Sequence, residues 1–190
     1  WENGNVLQTA GKDQVRFQSL MWQAMLFSAG IKNSDQVFYH GFINSGGQRM
    51  SKSLGNVISP YDLVKKYGTD ATRYILLRHV HPTEDSDVTW DRLDEWYTAN
   101  LTNGLGNLVA RVMKLAETHL EQPVVRPDMS PFPQEYWDML SAFEFNHAMD
   151  LVWERIQALD SRITTEEPFK LVKEDNEKGR ALIEGLVVEL

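Results

Sequence analysis

The sequence contains no cysteine. Disulfides and thiolate-bound zinc are therefore excluded within its 190 residues, and no metal-ligating set is expected. A reducing cytoplasm is compatible with that usage, and the cytoplasm is the expected location. No stretch approaches the roughly 18 continuous apolar residues of a membrane helix, and no membrane partner is expected. No basic segment followed by an apolar run opens the chain, so nothing marks secretion. Internal repeats and low-complexity tracts are absent too. Trp1-Glu2-Asn3-Gly4 reads as the interior of a longer protein. Basic charge is in short supply: the net charge is −8. Residues 1–90 hold nine Lys/Arg against eight Asp/Glu, a net of +1, whereas residues 91–190 hold ten against nineteen, a net of −9. Phosphate contacts supply most non-specific nucleic-acid affinity, so any RNA binding must rest on a local patch and on base contacts.

What is present suffices for one domain with a proper core, or for two small ones, at 42% hydrophobic residues. Val15 to Ser28 is rich in Phe, Leu, Met, Trp and Ala and predicts a helix that is largely buried, stopped by Gly30. Gln36 to Ile43 is β-branched and aromatic and predicts a buried strand. Helix followed by strand is half of a parallel α/β unit. Asn44-Ser45-Gly46-Gly47 is turn chemistry, with a loop from there to Asn56. Ser59-Pro60 opens a helix that Gly68 closes. Thr69 or Asp70 is expected to cap the next helix, which His81-Pro82 ends. Asp87 to Trp90 could form a short strand. From Asp91 the chain is expected to be helical, with Leu101, Leu105, Leu108, Val112 and Leu115 on one stripe. A linker holds Pro123, Pro127, Pro131 and Pro133; Phe145 to Ile163 predicts a long helix, and a last one runs from about Lys170.

The chemistry concentrates in Gly46-Gly47-Gln48-Arg49-Met50-Ser51-Lys52-Ser53-Leu54-Gly55-Asn56. Glycines on both sides permit movement, two cations lie three residues apart, and hydroxyls flank Lys52. Such a loop suits a transient clamp on a polyphosphate, where fixed positive charge meets charge developing in a transition state. A phosphate loop of the G-x-x-x-x-G-K-(S/T) type is excluded, because Ser51 stands where its second glycine belongs and no helix can start at Lys52. A solvated basic loop between strand and helix remains the alternative.

Arg49-Met50-Ser51-Lys52-Ser53 resembles the KMSKS signature of class I aminoacyl-tRNA synthetases, with Arg for the first Lys. The likeness continues through Leu54-Gly55-Asn56-Val57-Ile58 and Pro60 to Tyr67-Gly68-Thr69-Asp70-Ala71-Thr72-Arg73-Tyr74. Two further segments are similar to the methionyl members. They are Gly11-Lys12-Asp13 with Arg16-Phe17 and Trp22-Gln23-Ala24-Met25-Leu26, and Asn100 to Arg111, which matches a "GNLxxR" helix. Phe145-Asn146-His147-Ala148-Met149 and Glu167-Pro168-Phe169-Lys170-Leu171 also fit. The resemblance covers nearly the whole chain.

The resemblance implies a fold that is mainly α with an α/β part. Residues 1–90 would be the C-terminal remnant of a Rossmann-type nucleotide-binding domain with its loop and linking region. Residues 91–190 would be an α-helical bundle that binds the anticodon. It implies ATP, with Mg2+, methionine and tRNA(Met) as ligands, and a missing N-terminal half of the catalytic domain as partner. Lys52 matches the phosphate-contacting lysine, with Arg49 beside it and Ser51 and Ser53 as neighbouring hydroxyls. Gly11 and Asp13 match positions near the ATP ribose; the alternative is a strand-to-helix turn with Asp13 as its cap. His40 and Gly41 could approach the adenine, or His40 is an ordinary strand histidine. Phe17 and Gln18 fall where the family has Phe-His beside bound methionine, so Gln18 is a departure, as is Gln23 in place of a proline. Asn107 and Arg111 match an anticodon-reading pair at i, i+4 on the helix flank; the alternative is a solvated polar flank. Phe169 stands where the family stacks a tryptophan on an anticodon base, or else is a hydrophobic staple.

No HIGH-type motif, the other half of the class I signature, occurs in the chain, and Tyr39-His40-Gly41-Phe42 is not one. The chain alone is therefore expected to be inactive. Two rivals stay open: another class I enzyme (leucyl, isoleucyl, valyl or cysteinyl), or a non-catalytic module that binds tRNA or a protein.

Overall fold

The computed structural model describes residues 1, 3–125 and 132–190. Of the expected linker, Pro127 and Pro131 lie outside the described residues. The chain divides into two compact units, Trp1–Trp90 and Asp91–Leu190.

The first unit opens on a strand the sequence did not announce, β1 (Leu7–Gly11). A 3-10 turn (Lys12–Gln14), a π-helical stretch (Arg16–Trp22) and α1 (Gln23–Ser28) follow, then β2 (Gln36–His40). β1 and β2 pair in parallel, from Leu7 opposite Gln36 to Gly11 opposite His40. Strand, helix and parallel strand make one α/β crossover, and its helical arm is not buried. Leu26 is inside, but Phe17, Leu20, Met21, Met25 and Phe27 are exposed. A two-stranded sheet offers too little surface to bury both faces of such an arm. Gln23, in the position of the family proline, ties the helix to the segment before β2: its amide donates to Ser34 Oγ at 3.0 Å and accepts from Ser34 N at 3.0 Å.

The expected single strand Gln36–Ile43 is broken after His40. A Cβ on Gly41 would lie 2.0 Å from the Glu84 carbonyl oxygen, so a crossing backbone segment turns the chain there. β3 (Ile43–Ser45) then pairs with β4 (Gln48–Arg49) in a two-residue hairpin and with β5 (Ser86–Asp87) in parallel. Gly46 and Gly47 have φ of 64° and 72°, the left-handed pair that a tight hairpin demands. α2 (Pro60–Tyr67) has Pro at its first turn, and Ser59 Oγ accepts from Tyr61 N. α3 (Thr69–His79) starts from Gly68, whose φ is 81°; Thr69 and Asp70 lie inside the helix and neither caps it. A glycine that already reverses the backbone leaves no room for a preceding side-chain cap.

The second unit is helical. α4 (Trp90–Trp96), a π-helical stretch (Tyr97–Gly106) and α5 (Asn107–His119) are continuous. α6 (Gln134–Ser141) and α7 (Phe145–Glu166) follow, then α8 (Pro168–Glu174) and α9 (Asn176–Glu189). The expected single last helix is thus two. Asp175 stands between them and accepts from Lys178 N at 3.1 Å, capping α9. Leu108 and Val112 of the predicted stripe meet Leu159, Ile163 and Leu186 in the core. Gly179 lets α9 cross α8 closely, since a Cβ there would be 2.5 Å from Val172 backbone.

Candidate functional site

The carboxyl ends of parallel strands are where open α/β sheets bind ligands. Here that edge is the last register pair, Gly11 opposite His40. Gly11 holds the N-cap position of the 3-10 turn, with no side-chain bond to it. Asp13 therefore is not the cap considered from the sequence. Its Oδ1 would be 2.8 Å from a Cβ on Gly11, and the His40 ring would be 3.8 Å away. A carboxylate, an imidazole and a bare backbone thus share one corner. His40 Nδ1 is 2.9 Å from the Gly41 carbonyl oxygen, and Gly41 itself lies under the Glu84 backbone.

The hairpin brings the loop to that corner. Arg49 reaches Asp13 at 3.4 Å and lies 4.4 Å from the centroid of the Phe42 ring. Lys12 is 4.9 Å from the same ring and pairs with Asp85 at 2.6 Å. The Lys12 ammonium, followed by the Phe42 N–H donating at 2.8 Å, holds the Asp85 carboxyl below its usual value. Beyond Arg49 the loop is closed by Asn56, whose Oδ1 accepts from Ser51 N at 2.8 Å and whose amide donates to Arg49 O at 3.3 Å. Lys52 begins a 3-10 turn ended by Gly55 at φ 67°. Ser51 and Ser53 meet through their hydroxyls at 2.7 Å. Lys52 is exposed and, among the described residues, enters no ion pair. A cation held on a structured turn with its charge uncommitted is available to an anion.

Phe17 and Gln18 lie one turn beyond Asp13, in the π-helical stretch. Phe17 is exposed beneath Arg16, 5.4 Å from the ring centroid, and the Gln18 carbonyl accepts from Gln23 at 3.1 Å. They lie in the stretch that follows the turn bearing Asp13.

In the second unit Asn107 and Arg111 stand together on the exposed flank of α5, where Arg111 Nε donates to Asn107 O at 3.4 Å. With Asn103, Ala110 and Lys114 they line a shallow groove. The Arg111 guanidinium is also paired with Asp160 of α7. Phe169, at the second position of α8, is outside this groove and 46% exposed, so it does not act as a buried staple.

Residues 1–113 match the family described as tRNA synthetases class I (M). The chain belongs to the class I tRNA synthetases. A methionine–tRNA ligase of Fusobacterium nucleatum is 35% identical over 192 aligned residues, covering 95% of this chain and 30% of that protein. The chloroplastic/mitochondrial methionine–tRNA ligase of Arabidopsis thaliana is 43% identical over 119 residues, 63% of this chain and 19% of that one. A crystal structure of Mycobacterium tuberculosis methionyl-tRNA synthetase bound by methionyl-adenylate superposes with a TM-score of 0.83 at 28% identity. It covers 97% of this chain and 39% of its own. The chain thus spans between about a fifth and two fifths of the length of these relatives. The similarity extends through both units of the class I chain, and its mainly helical fold with a small α/β part is the expected one.

Sequence reasoning missed Phe42, Asp85 and the role of Asn56 in this synthetase loop. Phe42 follows a strand end and reads as ordinary core, while Asp85 is distant in sequence and becomes a neighbour only through the β3–β5 pairing. Asn56 alone had a local signal: an Asn shortly after a turn can bond backbone on both sides. The Arg111–Asp160 pair spans α5 and α7 and had none.

Proposed function

We propose that this chain is part of a methionine–tRNA ligase and supplies the second half of its ATP site together with its anticodon-reading helices. In this reading the methionine carboxylate attacks the α-phosphorus of ATP, the bond to the β-phosphate oxygen breaks, and methionyl-adenylate and pyrophosphate result. A terminal ribose hydroxyl of tRNA(Met) then takes the methionyl group, the acyl–phosphate bond breaks, and AMP leaves. Lys52 and Arg49 neutralise the leaving pyrophosphate, Lys52 as a point charge and Arg49 as a planar fork. Ser51 and Ser53 offer hydroxyls to the same oxygens. Asp13 accepts from ribose hydroxyls while Gly11 lets the nucleotide approach, and His40 with Gly41 borders the base. Phe17 and Gln18 flank the amino acid. Mg2+ enters with the phosphates, whose oxygens suit a hard cation. Asn107 and Arg111 bond base edges of the anticodon and Phe169 stacks on a base. Residues 1–90 form the C-terminal part of the catalytic domain and residues 91–190 the anticodon-binding domain. A cytoplasmic location belongs to the same reading, in keeping with the absence of cysteine.

The observation that carries this reading is the loop corner. A structured turn offers Lys52, which has no ion partner among the described residues, and its neighbour Arg49 rests against Asp13 at the carboxyl edge of parallel strands. Family membership and the methionine ligases among the relatives support the choice of amino acid. The test is ATP–pyrophosphate exchange in the whole enzyme carrying Lys52→Ala. Loss of one preorganised stabiliser of developing charge costs about 10²–10³ in rate. An unchanged rate ends the proposal. Methionine should drive exchange; a response to leucine, isoleucine, valine or cysteine instead would redirect it within class I.

A further inference from the structure

Two cations crowd one aromatic ring in the first unit, and they are not equivalent. Lys12 is neutralised by Asp85 at 2.6 Å. The Arg49 side chain is 69% exposed, and its ion pair with Asp13 Oδ2, at 3.4 Å, is long and weak. Its guanidinium nonetheless lies 4.4 Å from the Phe42 centroid, closer than Lys12 at 4.9 Å. The ring itself is fixed at its root. The Phe42 N–H donates to Asp85, Gly41 is pinned by the Glu84 backbone, and Ile43 enters the β3–β5 pairing.

We propose that Phe42 is a positioning residue for the loop cation: its ring is the platform that orients the Arg49 guanidinium toward the nucleotide. The proposal rests on the functional reading above. A guanidinium stacked on an aromatic face leaves its in-plane N–H donors free. A ribose hydroxyl that engages Asp13 removes the weak Asp13–Arg49 pair. The ring keeps the fork in place after that exchange, when its donors are needed for phosphate oxygens. Without the ring, a side chain so exposed would sample many rotamers and lose its preorganisation.

The test compares Phe42→Leu and Phe42→Tyr in the whole enzyme, each with Arg49 and with Arg49→Ala, by ATP–pyrophosphate exchange. Phe42→Leu should lower kcat about two- to fivefold, the effect of one exposed cation–π contact, with KM for ATP unchanged. Phe42→Tyr should retain the rate, because it keeps the face. In the Arg49→Ala background Phe42→Leu should change nothing further. Equal losses in both backgrounds, or equal losses for Leu and Tyr, would make Phe42 a packing residue and overturn the proposal. So would an unchanged Phe42→Leu rate in an enzyme that Lys52→Ala disables, a result that leaves the functional reading standing. If Lys52→Ala is also without effect, both fall.

Discussion

Gly41 shows how one residue carries two messages that the sequence alone merges. Beside His40, at a strand end, a glycine invites the thought of a ligand approaching the backbone. In the structure the approaching group is the chain's own Glu84 carbonyl, 2.0 Å from where a Cβ would stand. Gly41→Ala should therefore destabilise the first unit by about 3 kcal/mol, the upper end of overpacking costs, read as a lowered urea midpoint of the chain. A midpoint within error of wild type would show that the Glu84 segment moves aside without cost. The residue scale was legible for Lys52, Arg49, Gly11 and Asp13, because short motifs report local chemistry. It was silent on Phe42, Asp85 and Asp160, since each acts through a partner at least 40 residues away or on another element.

At the scale of elements, periodicity found the long helices and misjudged what lies between them. The predicted stripe of α5 and the length of α7 emerged because buried apolar spacing is local information. β1 escaped because Leu7–Gly11 has no apolar alternation; its partner strand, not its composition, makes it a strand. Both π-helical stretches escaped as well, since one extra residue per turn leaves no compositional trace. The α8–α9 break escaped because Asp175 looks like any surface acid. Two variants test that joint. Gly179→Ala places a Cβ 2.5 Å from Val172 backbone and should cost about 1–3 kcal/mol of helical stability. Asp175→Ala removes the α9 cap, and its effect should depend on pH. The Lys178 ammonium and the Lys178 N–H hold the Asp175 carboxyl below 3.8. A carboxyl so depressed stabilises the fold above its ordinary value and loses that contribution as pH falls through the lower folded value. The gap in urea midpoint between wild type and Asp175→Ala should be constant near neutrality and shrink below 3.8. Asp175→Asn, which keeps an acceptor, should lose less than Asp175→Ala at neutral pH. A gap that persists undiminished in acid would mean that the cap does not depend on the charge.

Across the whole molecule the uneven charge decides how an RNA can be held. Residues 91–190 carry a net −9, yet the proposed anticodon readers Asn107 and Arg111 lie there. Arg111 is paired with Asp160 and its groove neighbour Lys114 with Glu117 at 2.8 Å, so even the local cations are largely neutralised. Affinity that does not come from phosphates must come from base edges and stacking, which depend little on salt. For the 190-residue chain binding an anticodon stem-loop with CAU, these two paired cations should add little to the slope of log K against log salt, which counts about −0.7 for each cation free to take a single-strand phosphate. Asp160→Asn should release Arg111. The slope should then steepen by roughly 0.7 and low-salt affinity rise, while preference for CAU over other anticodons falls, because a free guanidinium takes phosphates as readily as bases. Arg111→Ala should instead lose the preference and leave the slope nearly unchanged. A steep slope in the unmodified chain, with no preference among anticodons, would mark a general binding module and count against the methionine reading. The acidic balance was plain in the sequence, but its consequence was not, because a net charge does not reveal which cations already have partners.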